Sequence, residues 1–167
     1  MTAPPQASFP IVVLVSGRGS NLKAIAAQTA AGTLPVRIAA VVSDRADAGA
    51  LPWAAEHGIA TSVLSPRDFP DRESYGRALG DVVAGYEPGL VVLAGFMRIL
   101  GDSFVNRFAG RLLNIHPSLL PRYPGLHTHR RALEAGDREH GASVHFVTPE
   151  LDGGPVVIQV KVPVLAG

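Results

Sequence analysis

Asn114 and His116 stand two residues apart at the end of the apolar run Leu112-Leu-Asn-Ile-His116, and Pro117 follows at once. In an extended strand, residues two apart project from the same face. A neutral amide donor and a titratable imidazole would therefore leave the strand end together. Pro117 disfavours the helical region for His116, and Pro121 and Pro124 stiffen the loop beyond it. An amide beside an imidazole on a rigid mount can stabilise an oxyanion and move protons. A third candidate, Asp152, lies in Leu151-Asp-Gly-Gly-Pro155 between two apolar runs. Its carboxylate either builds that turn with its own backbone or approaches His116, where it would favour the imidazolium and hold the ring. The residues alone leave both open.

A second group is Ser16-Gly-Arg-Gly-Ser-Asn21, between an aliphatic run and a helical pattern. Glycines let a backbone approach an anion, and a helix N-terminus offers free N–H groups and positive dipole. Ser16, Ser20 and Asn21 add side-chain donors. The segment reads either as a phosphate cradle or as a tight strand–helix turn. Leu22 stands where a dinucleotide fingerprint needs its third glycine, and no Gly-Lys-Ser/Thr follows. A phosphomonoester suits the loop better than a dinucleotide or triphosphate. Asp44 reads as a surface turn residue rather than as a ribose-binding acid. Of the six histidines, His57 and His140 read as surface residues and His145 as a satisfied sheet histidine. His116, His127, His129 and Asp152 could converge on a metal, but there is no helical His-Glu-x-x-His spacing and His127–His129 lie in a loop rich in glycine and proline, so no metal is expected.

The elements that must carry these residues alternate. Ile11–Val15, Val36–Val42, Ile59–Leu64 and Leu90–Ala94 are strand candidates, separated by helical patterns over Asn21–Ala31, Leu51–His57 (with Pro52 in its first turn) and Arg72–Ala84, which Asp71 would cap. Alternation of this kind implies βαβ units and a parallel sheet covered on both faces. A helix near Ser103–Phe108, a strand at Leu112–His116, a helix near Thr128–Ala135 and strands at Ser143–Val147 and Val156–Lys161 complete the chain. The last two strands are too close for a helical crossover and should be antiparallel. We expect a single α/β domain with a mixed sheet. At 167 residues, 47% hydrophobic and 17% charged, a globular domain with a substantial core is expected rather than disorder. A formal charge of +1 argues against broad attraction to nucleic acid or membrane. The absence of cysteine excludes disulfides, thiolate catalysis and Cys-ligated zinc. No apolar stretch reaches the roughly 20 residues of a spanning helix, and Met1–Pro10 reads as a short flexible leader rather than a signal peptide. A soluble cytoplasmic protein is expected.

Together these residues resemble the phosphoribosylglycinamide formyltransferases, folate-dependent enzymes of purine synthesis. The likeness runs through Ile11-Val-Val-Leu-Val-Ser-Gly-Arg-Gly-Ser-Asn-Leu22, Val91-Val-Leu-Ala-Gly-Phe-Met-Arg-Ile-Leu100 and Leu113-Asn-Ile-His-Pro-Ser-Leu-Leu-Pro-Arg-Tyr-Pro-Gly-Leu-His-Thr-His-Arg130. It ends in His140-Gly-Ala-Ser-Val-His-Phe-Val147 and Glu150-Leu-Asp-Gly-Gly-Pro155. The His-Pro-Ser-Leu-Leu-Pro core marks formyl-folate enzymes as a group; the glycine loop and Gly125-Leu-His-Thr-His129 narrow the likeness.

The resemblance implies a Rossmann-like, mostly parallel twisted sheet with helices on both faces and an antiparallel C-terminal pair. It implies a phosphate-binding half over about residues 11–110 and a catalytic, folate-binding half over about 111–167. Asn114, His116 and Asp152 would be the catalytic trio. Gly19, Ser20 and Asn21 would hold the phosphate of glycinamide ribonucleotide; Arg72, Met97, Arg98, Ile99, Leu100 and Asn114 would line the site of 10-formyltetrahydrofolate, the co-substrate, with no metal. Arg18 either adds a phosphate contact or faces solvent. A monomer or homodimer is expected. Family members usually continue beyond Lys161-Val-Pro-Val-Leu-Ala-Gly167 with a helical segment near the glycinamide end of the ribonucleotide, so a truncated chain is the expectation. The rival readings are formyltetrahydrofolate hydrolase or methionyl-tRNA formyltransferase, each of which usually carries an extra domain, and a non-catalytic nucleotide- or folate-binding module.

Overall fold

Aliphatic runs become the strands of one sheet, and the central ones bury on both sides. The computed structural model describes residues 8–166. Phe9–Val15 (β1), Val36–Ser43 (β2), Ala60–Val63 (β3), Leu90–Leu93 (β4), Leu112–His116 (β5), Glu139–Phe146 (β6) and Val156–Pro163 (β7) form a seven-stranded sheet in the order β3-β2-β1-β4-β5-β6-β7. Strands β1 to β5 pair in parallel. Both β6 on β5 and β7 on β6 are antiparallel, so the expected antiparallel pair lies at the end of an otherwise parallel sheet.

The helices are Ser20–Ala30 (α1), Ala50–Glu56 (α2), Arg72–Ala84 (α3), Asp102–Arg107 (α4) and Thr128–Glu134 (α5). Alternation along β1 sends Val12 and Leu14 into one core with Leu79 and Val83 of α3 and Phe104 of α4. Val13 and Val15 enter a second core with Leu22 of α1 and Leu51 and Ala54 of α2. Each face of the sheet is thus covered by helices, as parallel strands require. The α3 helix begins where expected because the Asp71 carboxylate accepts the Ser74 N–H at 2.7 Å. The chain leaves β1 toward β2 on one side, and β4 returns to the other side of β1. That reversal opens a crevice at the carboxyl ends of β1 and β4, the usual ligand position in open α/β sheets.

Several boundaries differ from expectation for identifiable reasons. Met1–Ala7 of the expected leader lie outside the described residues, but Phe9 and Pro10 already belong to β1, Phe9 pairing with Val36. Strand β6 starts at Glu139, well before Ser143, because His140-Gly-Ala142 lack apolar alternation yet pair along β7. Gly141 is required there: a Cβ would run into the Val160 carbonyl on the neighbouring strand.

His140, expected at the surface, is buried. Its Nε2 meets Nδ1 of His129 at 2.9 Å, and it faces the ring of Tyr123. This group fastens the loop after β5. The Tyr123 hydroxyl and the Arg122 guanidinium each donate to Asp137 at 2.6 Å, and these bonds, the tyrosine's first, hold the Asp137 carboxyl below the usual carboxylate range. Arg131 donates to the Pro124 carbonyl at 2.6 Å and Thr128 to that of Pro117 at 2.5 Å. Burial, followed by the neighbouring His129, lowers the His140 pKa from its ordinary 6.5, against the pull of Asp137.

Two predictions follow from this packing. Phe104→Ala empties the centre of the first core and should cost about 3–5 kcal/mol, a fall in Tm of roughly 10 °C or more by thermal unfolding. For His140 the unfolded chain binds the proton more readily than the folded one, so its contribution to stability is present above the unfolded value near 6.5 and declines as pH falls below it. Denaturant unfolding at pH 5.5 should give a lower free energy than at pH 7.5, and His140→Gln should shrink that difference; an equal difference in the variant contradicts the assignment.

Candidate active site

The antiparallel register sets Asn114 opposite His145 and His116 opposite Ser143. Directly paired residues share a face, so these side chains project together from the end of β5. Asp152 arrives from the connection between β6 and β7. It holds φ 51°, in the left-handed region that Asp tolerates better than most residues with a Cβ. Its Oδ2 accepts the Gly125 N–H at 2.9 Å. Its Oδ1 lies 3.5 Å from Nδ1 of His116 and 3.7 Å from Nε2 of His145. The side chains of His116, Asp152 and His145 are 7%, 8% and 3% exposed. A carboxylate so buried is tolerable only with partners, and here the partners are the His116 imidazole and the Gly125 backbone amide. Of the two readings of Asp152, the one beside His116 is realised, and the same residue also fastens the turn at Gly125.

Hydrogen-bond direction fixes what each group offers. Nε2 of His116 lies 2.9 Å from the Tyr123 carbonyl; a carbonyl only accepts, so Nε2 carries a proton. Nδ1 of His145 likewise donates to the Phe146 carbonyl at 3.0 Å. In the neutral ring Nε2 is then an acceptor, and Nδ2 of Asn114 donates to it at 3.2 Å. The Asn114 amide is thereby oriented, with its second N–H and its carbonyl oxygen left for a ligand. Sequence reasoning took His145 as a sheet residue and missed this role. The available signal was the spacing of Ser143 and His145 on one face; the partner across the strand was not readable.

The other sequence candidates, Arg72 apart, lie at two turns at the same end of the sheet. In the glycine turn, Gly19 is the residue before α1, at φ 79° and without a side-chain cap on the helix. A Cβ at Gly19 would approach the Ala50 Cβ to 2.7 Å, so packing against α2 already requires glycine. Ser20, Asn21 and Arg18 are exposed, and the uncapped first turn of α1 leaves N–H groups available to an anion. Ser16 does not join them: its hydroxyl is buried and donates to Asp44 at 2.6 Å. Asp44, expected at the surface, is buried too, and its other oxygen accepts Nε of Arg98 at 2.7 Å. The turn after β4 exposes Met97 (69%) and Ile99 (60%), while Leu100 turns into the first core. Arg72, the first residue of α3, is exposed, and no ion pair or side-chain hydrogen bond among the described residues joins it to the Asn114 cluster. Since β1, β4 and β5 are parallel neighbours, the glycine turn stands two strand spacings, about 10 Å, from the end of β5.

His129 turns to His140 and His127 is exposed ahead of α5, so the four candidate metal ligands do not gather. Among the described residues no group of His, Cys, Asp or Glu is arranged to hold a metal ion. No helix of the described residues is long and apolar enough to cross a membrane. Two surface cavities, of about 330 and 380 Å³, lie away from the cluster, beside α4 and between α1 and α2.

Comparison with known proteins places the chain among relatives of known family. Residues 10–167 match the formyl transferase family. The chain is 60% identical over 157 residues to the phosphoribosylglycinamide formyltransferase of Escherichia coli (strain K12), covering 94% of this chain and 74% of that one. The solved phosphoribosylglycinamide formyltransferase from Coxiella burnetii, in complex with CHES, matches with a TM-score of 0.90 at 49% identity over 95% of this chain and 74% of its own. Glycinamide ribonucleotide transformylase 1 from Symbiobacterium toebii matches with a TM-score of 0.92 at 44% identity over 95% and 75%. On the length of the family match and the closeness of these relatives, the chain belongs to the formyl transferase family.

Proposed function

We propose that this chain transfers the formyl group of 10-formyltetrahydrofolate to the glycine amine of N1-(5-phosphoribosyl)glycinamide, a step of purine synthesis, in the cytoplasm. The observation that carries the reading is the chain of contacts that gathers Asn114, His145, Asp152 and His116 at the carboxyl end of the sheet. Relatives bearing the corresponding name support the substrates. The ribonucleotide phosphate rests on the first turn of α1 at Gly19, Ser20 and Asn21. The folate lies along Met97–Leu100, with Arg72 and Asn114 at its borders, and the buried Leu100 contributes backbone rather than side chain.

The amine attacks the formyl carbon, and the carbonyl electron pair moves to oxygen. The free N–H of Asn114 donates to that oxygen. Both nitrogens of His116 already face acceptors, Tyr123 O and Asp152, so a protonated His116 acts on the oxyanion through its charge. A water held at Asp152 takes the proton from the attacking nitrogen and returns it to N10 of the folate, which leaves as the secondary amine. No covalent enzyme intermediate is required.

Removing a donor aimed at an oxyanion typically costs on the order of 100- to 1000-fold in kcat. Asn114→Ala should fall in that range, with KM values changed only a few-fold. Asp152→Asn should lower kcat by at least about 100-fold if it organises proton transfer; turnover within a few-fold of wild type would sink that role. With both substrates supplied, formylated ribonucleotide and tetrahydrofolate should appear in equal amounts. Release of formate from 10-formyltetrahydrofolate without the ribonucleotide would favour a hydrolase instead.

A further inference from the structure

We propose that Asp44 is a positioning residue: its buried carboxylate ties the turn after β4 to the ends of β1 and β2, and so shapes the surface that receives the folate. This rests on the function proposed above. The Asp44 side chain is 1% exposed and sits just past β2, where a ribose-binding acid would stand in a dinucleotide fold. Both of its oxygens are engaged. One accepts the Ser16 hydroxyl at 2.6 Å and the other accepts Nε of Arg98 at 2.7 Å. A serine hydroxyl has one proton; directing it to Asp44 turns its lone pairs toward the Met97 N–H, which donates to Ser16 Oγ at 2.8 Å. The carboxylate thus acts on the turn twice, directly through Arg98 and through Ser16 on Met97.

The turn needs such ties at its centre. Phe96 and Leu100 anchor its two ends in the first core, and Met97, Arg98 and Ile99 between them are exposed. The glycine turn, by contrast, has fastenings of its own: Ala50 N–H donates to the Gly17 carbonyl at 3.1 Å, and Gly19 packs on Ala50. Loss of Asp44 should therefore disturb one substrate and spare the other, an asymmetry that a general loss of stability does not produce.

The test compares wild type with Asp44→Ala, Asp44→Asn and Ser16→Ala. Losing a hydrogen bond to a charged group corresponds to roughly a tenfold change, so Asp44→Ala should raise KM for 10-formyltetrahydrofolate about tenfold. KM for the ribonucleotide and kcat should stay within about threefold, and Asp44→Asn should fall between Asp44→Ala and wild type. Exchange of the Met97 amide should quicken about tenfold in Asp44→Ala and in Ser16→Ala, with no further gain in the double variant, since both cut one chain of bonds. An unchanged folate KM, or equal rises for both substrates, overturns the inference while leaving the function intact. If wild type transfers no formyl group, the proposed function falls; calorimetric Kd for tetrahydrofolate then decides the inference, an equal Kd in wild type and Asp44→Ala, or no binding by wild type, overturning it.

Discussion

A carboxylate buried to the depth of Asp152 sets conditions on everything around it. It must find partners, and the fold supplies an imidazole from the end of β5 and an amide from the loop that follows, with His145 of the adjacent antiparallel strand alongside. Each partner is thereby fixed in turn. His116 points one nitrogen at the acid and the other at Tyr123; His145 presents a lone pair to Asn114. The reactive amide is oriented by a histidine that itself needs no contact with substrate. Burial strengthens these interactions, because charges in a poorly hydrated site are screened less. The same burial would be ruinous with any one partner missing.

The topology explains why these groups meet. A wholly parallel sheet returns each strand through a helix, which leaves β5 without a directly opposed neighbour from a short connection. Reversing direction at β6 places His145 across from Asn114 and lets a short connection carry Asp152 back over the strand ends. The parallel half does different work. Its reversal of order between β1 and β4 opens the crevice where the glycine turn and the exposed turn after β4 stand side by side. Asp44 belongs to that half, and its bonds reach the turn after β4 directly and through Ser16.

Local signals in the sequence were faithful where the physics was local. The strand Leu112–His116 and the helix Arg72–Ala84 could be read to the residue, the first from an apolar run stopped by Pro117, the second from the Asp71 cap. The proximity of Asn114 and His116 followed from strand parity alone. What could not be read depends on partners distant in the chain. Asp44 carries no mark distinguishing a turn acid from one buried against Ser16 and Arg98, 28 and 54 residues away. His140 looked exposed because its neighbours Arg138, Glu139 and Gly141 are polar or small; only the loop folded over it makes it buried. Gly19 was read as room for an anion, and the structure adds a second reason in the closeness of Ala50.

The orientation of Asn114 by a neutral His145 is the point on which the active-site account turns, and nitrogen NMR of the histidine ring reads it directly. With imidazole nitrogens labelled, His145 should carry its proton on Nδ1 at neutral pH, with Nε2 bare and hydrogen-bonded. Conversion of Asn114 to Ala should perturb the Nε2 signal and leave the proton where it is. A proton found on Nε2 would set the Asn114 carbonyl oxygen, rather than its amide nitrogen, against His145 and contradict the account.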